Sequence, residues 1–485
     1  MTQITAPAKP PVPAALREID DLPGPRGLPL LGNALQIDAS SFHLQLEEWC
    51  REYGPYFQVR VGGRRYVVIG EHEAVATVLR DRPEGFKRTE RLQQIWTEMG
   101  LPVGVFGANG DDWKRQRRMV MAGFDPAHVK SYFPSLQKVA QRLAARWQAA
   151  AHEGQVIDLQ ADLMRFTVDT IAGLAFGAEV NTLGSDGDVI QQHLDKIFPV
   201  LFKRILAAVP IWRYVRSSAD RELERAIVEV NNAITGFITQ ARVRMQADPT
   251  LRERPHNLLE AMIAAAERED SGIDDRQVAG NVLTMLLAGE DTTANTLAWM
   301  IHLLWRHPEA LARATDEVRR VVVDRDAPTL EEMTQLDYIE ACAHETMRLK
   351  PVAPQLPLQA LRDTVIGDVR IPAGGIVVSL LRRDSVSEDH VPRASAFEPE
   401  RWLVAGGPGA LASAAKRTSM PFGAGPRICP GRYLALLEMK MAMATLLARF
   451  DIQAVDTPDG QEAREQLAFT MTPVGLTMRL REREA

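Results

Sequence analysis

The stretch "PFGAGPRICPGRYLALLEMK", Pro421 to Lys440, places one of only 3 cysteines between a glycine-rich loop and the start of a helical pattern. A cysteine kept for packing needs no such surroundings. Gly423 and Gly425 permit close backbone approach, and Pro430 and Gly431 precede a helix predicted over about 432–449. A thiol at a helix N-terminus meets the positive end of the dipole and free N–H groups, which favour thiolate. Arg427 suits an anionic group on a ligand. Cys429 is therefore read as a metal ligand, a soft thiolate suited to iron. A cysteine nucleophile with a distant histidine base is the alternative, since the chain holds 10 histidines.

The rest of the composition narrows the setting. The 485 residues are 46% hydrophobic and 25% charged, an ordinary globular balance. A formal net charge of -6 gives no general attraction for nucleic acid. Cys50, Cys342 and Cys429 form neither a disulfide framework nor a C-x-x-C zinc pattern. A reducing cytoplasm is the simplest address. Residues 1–20 are proline-rich and read as a flexible arm ahead of a single domain over 21–485. The most apolar segment, "VLTMLLAGEDTTANTLAWMIHLLW", carries Glu290 and Asp291 in its middle. Charges at a bilayer centre are costly, so it is predicted to be a buried helix and not a transmembrane anchor.

The pattern along the chain is mainly α with a small β part. "YFQVRVGGRRYVVIG" predicts a β-hairpin turning at Gly62-Gly63. Helical periodicity dominates from about 72 to 350, and short strands follow in "DTVIGDVRIPAGGIVVSLL". Residues 384–428 are expected to be irregular.

Three further motifs carry chemistry. "LLAGEDTTANTL" sets small residues, Ala288 and Gly289, beside an acid and an alcohol, Asp291 and Thr292. Small side chains leave a groove over a flat ligand, and an acid–alcohol pair relays protons. In "HETMRL", Glu345 and Arg348 share one helix face. Arg401, in "FEPERW", is expected to complete a Glu–Arg–Arg cluster that pins the loop leading to Cys429. In "DDWKRQRRMV", Trp113 and Arg117 lie four apart on one face, where an indole N–H and a guanidinium suit ligand carboxylates.

Together and in this order, these stretches resemble the cytochrome P450 family of haem-thiolate monooxygenases over roughly residues 20 to 480. Phe422, Gly425, Arg427, Cys429 and Gly431 fall on the family's F-x-x-G-x-R-x-C-x-G pattern. Ala288 to Thr293 is similar to its A-G-x-D/E-T-T segment. Glu345 with Arg348 fits E-x-x-R, and Trp113 with Arg117 fits W-x-x-x-R. The resemblance implies the P450 fold, haem b as cofactor and Cys429 as axial iron ligand. It makes Asp291 and Thr292 a proton relay, and Trp113, Arg117 and Arg427 propionate anchors. Glu345, Arg348 and Arg401 become fold-holding residues. Two departures stand out. Leu358 occupies a strand position where many members carry a basic propionate contact, and the usual H-R-D reads Arg382-Arg383-Asp384.

The reaction implied is insertion of one oxygen atom of dioxygen into an apolar substrate, by hydroxylation or epoxidation, with a fatty acid or terpenoid favoured. Its pocket is expected to draw on Trp96, Phe106, Phe198, Phe202, Leu287, Val352 and Leu356. No flavin or iron–sulfur segment is visible, so electrons are expected from a ferredoxin or flavodoxin. That partner would dock on Lys114, Arg115, Arg118, Lys416, Arg417 and Arg432. The segment 198–212 is read as a helix pair covering the pocket, with membrane contact as the alternative. A haem-thiolate isomerase or dehydratase, a peroxygenase and a non-catalytic haem sensor are the rival functions.

Overall fold

The computed structural model describes residues 16–124, 126–184, 189–194, 196–403 and 410–483. Helices dominate. The N-terminal half holds α1 (Phe42–Tyr53), α2 (His72–Arg80), α3 (Glu90–Glu98), α4 (Gly110–Gly123), α5 (Pro126–Glu153), α6 (Leu159–Phe176), α7 (Val189–Leu194), α8 (Ile197–Leu206) and α9 (Ser218–Ala247). The C-terminal half adds α10 (Leu258–Ala266), α11 (Asp275–Arg306), α12 (Pro308–Val321), α13 (Leu330–Thr334), α14 (Asp337–Leu349), α15 (Ala410–Thr418) and α16 (Arg432–Arg449). α11 is the axis of the molecule. An Asp274–Gln277 capping box starts it, and apolar residues on nearly all sides bury most of its length.

The strands are β1 (Tyr56–Val61), β2 (Arg64–Ile69), β3 (Phe86–Arg88), β4 (Ile157–Asp158), β5 (Gln355–Ala360), β6 (Thr364–Ile366), β7 (Val369–Ile371), β8 (Ile376–Leu380), β9 (Phe450–Asp456), β10 (Glu465–Leu467), β11 (Met471–Pro473) and β12 (Thr477–Glu482). The main sheet runs β1-β2-β8-β5-β3. Its β1–β2 hairpin turns at Gly62-Gly63, the turn predicted from sequence. β10 and β11 form a separate hairpin that reaches back towards α11.

Several expectations shift. The arm over 1–20 lies outside the described residues up to residue 15. Beyond it, Arg17 is already fixed, its N–H donating to Asp368 O at 2.8 Å. The stretch expected to be irregular contains α15, whose alanines form a helix after a Gly/Pro cluster. The 198–212 segment forms α8 and a short 3-10 turn, Ile211–Arg213, in place of a helix pair. Among the described residues, no helix is long and apolar enough to cross a membrane.

The segment between β8 and the cysteine loop has little regular structure, so side chains must hold it. Glu345 and Arg348 on α14 are fully buried and paired, with both nitrogen–oxygen distances 2.8 Å. Arg348 also donates to the carbonyls of Ser385 and Ala394 at 2.6 Å, and to Ala396 O at 3.0 Å. Glu345 accepts from Arg401 Nε at 3.2 Å, from the Glu398 N–H at 2.9 Å and from Trp402 Nε1 at 2.8 Å. Arg401 ties down the carbonyls of Pro392 and Arg393. A second buried node replaces the family's histidine. Arg382 spans Glu47 of α1 and Glu465 of β10, with its nearest oxygen on each at 2.8 Å. His43, Arg382 and Lys350 together hold the Glu465 carboxyl well below its usual range against the opposing effect of burial.

Removing the carboxylate of Glu345 leaves the fully buried Arg348 guanidinium without a carboxylate, although Arg401 keeps Glu398 at 2.7 Å, and it costs about 3–5 kcal/mol. Glu345→Ala is therefore expected to melt far below the parent protein. Glu222→Ala, which breaks an exposed pair with Lys196, should stay within about 0.5 kcal/mol. Equal thermal midpoints for the two variants would refute this account of the loop.

Candidate active site

The cysteine loop is shaped by one close approach. Gly425 has φ 70°, and a Cβ there would stand 2.7 Å from Arg80 Cα, so the end of α2 demands glycine. Gly431 is under no such demand, since its nearest neighbour would be 3.7 Å away. The Cys429 N–H donates to Phe422 O at 2.9 Å, and Arg117 donates to Ile428 O at 2.7 Å. Arg117 thus fixes the carbonyl just before the sulfur. Cys429 keeps some accessible surface. Protein atoms nevertheless crowd its sulfur, and burial pushes the thiol up, opposed by the Gly431 N–H, Arg117 and Arg432. The helix-end environment alone therefore does not make the thiolate. A coordinated metal ion would, because it deprotonates a thiol outright.

Four guanidiniums gather beside this loop. Arg427 donates to Val105 O at 3.1 Å and Ala108 O at 2.5 Å, and lies 4.9 Å from the centre of the buried Trp113 ring. Burial, Arg82 and Arg117 pull its pKa down to about 9. Arg82 is 4% exposed, with Nε and Nη2 lacking any partner, and burial lowers it to about 10. Arg88 lines an apolar cavity, and burial with Arg82 and Arg427 nearby lowers its pKa strongly. Among the described residues, no carboxylate contributes to any of these four. Such a cluster fits a ligand with two carboxylates, as haem has.

Arg82 and Arg88 escaped sequence reasoning. Register explains Arg88, which pairs directly across from Leu358 on β5. The position expected to carry a cation is apolar, and the neighbouring strand supplies the charge. The basic pair Lys87-Arg88 in "GFKRTE" was the available signal.

Above the cation cluster lies a cavity of about 270 Å³. Trp96, Phe106, Phe198, Phe202, Leu287 and Leu356 line it, as do Ala288 and Thr292 of α11. Val352 does not. Its carbonyl accepts from the Met471 N–H at 2.8 Å, and Ala353 takes the wall position. Sequence reasoning also missed Phe469. Its ring stacks on Phe198 at 4.5 Å and meets Phe106 edge-on at 5.9 Å. This residue has φ 104°, a conformation that costs on the order of 1–3 kcal/mol and is held here by the aromatic cluster.

α11 departs from expectation at two residues. Gly289 is not part of the groove, because a Cβ there would come within 2.8 Å of Ile171 on α6. Its role is helix packing. Asp291 is not hydrogen-bonded to Thr292, whose hydroxyl donates to Ala288 O at 2.7 Å. The Asp291 carboxylate instead accepts from Asn295 at 2.7 Å and from the hydroxyl of Thr470, which lines the cavity. Burial pushes the Asp291 carboxyl up, opposed by those two donors. A second acid, Glu438 on α16, is raised to about 8 by burial despite its bond with Thr293.

A family model described as Cytochrome P450 matches residues 22–479. The chloroplastic protein LUTEIN DEFICIENT 5 of Arabidopsis thaliana is 25% identical over 435 residues, which is 87% of this chain and 71% of that protein. The chloroplastic carotene epsilon-monooxygenase of the same plant is 26% identical, covering 97% of this chain and 86% of its own length. A self-sufficient cytochrome P450 monooxygenase of Penicillium freii is 27% identical over 96% of this chain, which spans only 43% of that enzyme. The crystal structure of the cytochrome P450DA heme domain superposes with a TM-score of 0.81 at 26% identity, covering 97% of this chain and 99% of that one.

Glu438 gives a pH test. Its carboxyl rises from the usual 4.5 to about 8 in the fold. Below about pH 4.5 folded and unfolded chains both hold the proton, and the full stability is present. As pH rises towards 8 only the unfolded chain releases it, so stability falls by at most about 1.4 kcal/mol per pH unit. Glu438→Gln removes this slope. Thermal midpoints from about pH 5 to about pH 8.5 should fall more steeply in the parent protein than in the variant. Parallel curves would show that this carboxyl titrates normally.

Proposed function

The chain belongs to the cytochrome P450 family of haem-thiolate monooxygenases, and from that premise we propose that it hydroxylates or epoxidises an apolar terpenoid or long-chain substrate, drawing electrons from a separate ferredoxin or flavodoxin. The observation that carries this reading is the gathering of Cys429 with four guanidiniums that lack carboxylates among the described residues, beside an apolar cavity. When bound, haem supplies a thiolate-ligated iron that activates dioxygen.

The chain's own residues divide the remaining work. Arg82, Arg88, Arg117 and Arg427 would neutralise the propionates of a bound haem, and Trp113 stacks under Arg427. Arg117 also steadies the sulfur through Ile428 O. Phe106, Phe198 and Phe469 keep water from the cavity and orient an apolar substrate. Asp291 holds a proton more readily than an exposed aspartate does, and the Thr470 hydroxyl passes it to the cavity wall, where Thr292 also sits. Polar contacts at that wall are few, and Gln355 Oε1 is buried there without a partner. A single donor group on an otherwise apolar substrate suits it. The likeness to plant carotenoid enzymes supports a terpenoid, as the apolar lining supports a fatty acid.

Lys114, Arg118, Lys416, Arg417 and Arg432 are exposed and suit an acidic electron donor. Arg115 is half-buried and paired with Asp112, and Lys114 pairs with Glu84 and Asp111, which weakens the claim of both.

Reduced protein under carbon monoxide should show the red-shifted band of thiolate ligation, and Cys429→Ser should lose it. A library of terpenoids and fatty acids is expected to contain compounds that shift the iron from low to high spin, and the absence of any shift would refute the apolar-substrate reading. Thr470→Val should lower product formed per electron consumed and slow turnover on the order of tenfold or more, while leaving the carbon monoxide band intact. Unchanged coupling would remove Thr470 from the relay. Reduction by an acidic ferredoxin should weaken as salt rises, and a rate indifferent to ionic strength would refute the basic docking face.

A further inference from the structure

Away from the cleft, three ligating side chains meet where α2 starts and the chain turns after β8. His72 is the first residue of α2, Asp384 opens a short 3-10 turn and His390 follows it. His72 Nδ1 lies 2.9 Å from Asp384 Oδ2, and His390 Nε2 lies 3.3 Å from the same oxygen. The three ligand atoms all lie within 4.8 Å of one another, and the imidazole rings meet edge to face at 4.9 Å.

We propose that His72, Asp384 and His390 form a binding site for a divalent transition-metal ion of the zinc type, separate from the haem centre. Bonds of about 2.0–2.1 Å in tetrahedral geometry set ligand atoms about 3.3 Å apart, which the His390–Asp384 spacing matches and the His72–Asp384 spacing would reach by opening about 0.4 Å. His72 and Asp384 are buried, while the His390 side chain keeps 27% of its surface, which leaves a fourth position for water. Asp384 is already oriented for the task. Arg383 engages Oδ1, and the His72 N–H holds Oδ2 at 2.8 Å. Ligating carboxylates are typically held by such outer contacts.

The far side of His72 carries the argument further. Its Nε2 is buried and makes no hydrogen bond, yet Glu73 Oε1 lies 3.3 Å away. A neutral ring that donates from Nδ1 to Asp384 turns a bare nitrogen lone pair towards that carboxylate. A metal ion on Nδ1 moves the ring proton to Nε2, where Glu73 accepts it, the arrangement that commonly supports a metal-bound histidine. The metal-free alternative is a hydrogen-bonded cluster of the three side chains with no ion. Occupancy would staple α2 to the segment after β8, and the other end of α2 abuts Gly425 of the cysteine loop.

The test uses the full-length haem-loaded protein, stripped of loose metal with EDTA and titrated with zinc by calorimetry. Zinc content is measured after gel filtration. The parent protein should retain one zinc per chain and melt higher with zinc. His72→Gln and His390→Gln should each bind on the order of tenfold more weakly or worse, and His152→Gln, at an exposed pair with Glu482, should bind as the parent does. His390 is partly exposed, so its variant keeps the fold, checked by the carbon monoxide band. Zinc retention no greater in the parent than in His390→Gln overturns the proposal and favours the ion-free hydrogen-bonded cluster. Binding that survives both substitutions overturns it as well.

Discussion

Four arginines with no carboxylate among the described residues around them set the terms for the rest of this structure. Gathering Arg82, Arg88, Arg117 and Arg427 in a poorly solvated cleft is unfavourable on its own, and burial and mutual repulsion drive the pKa values of Arg88 and Arg427 down. A fold tolerates such a cluster when a ligand brings the opposite charge. The neighbouring Cys429 thiol has the complementary problem, since burial opposes the ionised form that a metal needs. One dianionic metal porphyrin resolves both. The cleft is therefore built for its occupant, and the protein around it must hold the shape against the repulsion.

Buried carboxylates do that holding. Glu345 gathers two guanidiniums, an indole N–H and a backbone N–H onto one group, and through Arg348 and Arg401 it reaches five carbonyls of the irregular segment. Glu465 does the same for α1, β10 and the end of β8 through Arg382. Apolar residues of equal volume would supply similar energy, but they would not fix direction. A segment without helix or sheet needs direction, because its position sets where Cys429 points.

This division explains what was legible in the sequence. The cysteine loop, E-x-x-R, the W-x-x-x-R pair and the small residues of α11 are local patterns, and they located the fold and the sulfur proposed to bind the metal. Arg88 acts through strand register with Leu358, 270 residues later in the chain. Thr470 reaches Asp291 because the β10–β11 hairpin folds back onto α11. Arg382 stands where histidine was expected and binds two acids from distant elements. Gly289 looked like part of a groove because glycine beside alanine has the same spelling whether it faces a ligand or a helix. Each depends on a contact between distant parts of the chain, which periodicity and spacing do not encode.

α11 shows how one helical turn can serve several neighbours. Steps of about 100° per residue send Ala288 and Thr292 to the cavity, Gly289 to α6 and Thr293 to α16. Asp291 and Asn295, four apart, face the β10–β11 side. The acid and the alcohol expected to act as a pair are adjacent in sequence and so point about 100° apart. Their direct contact was never available on a regular helix. What connects Asp291 to the cavity is the hydroxyl of Thr470, the residue directly after the conformationally strained Phe469. That strain sets the Phe469 ring into the aromatic lid while its neighbour turns to the acid. The aromatic wall and the proposed proton route thus depend on the same two residues.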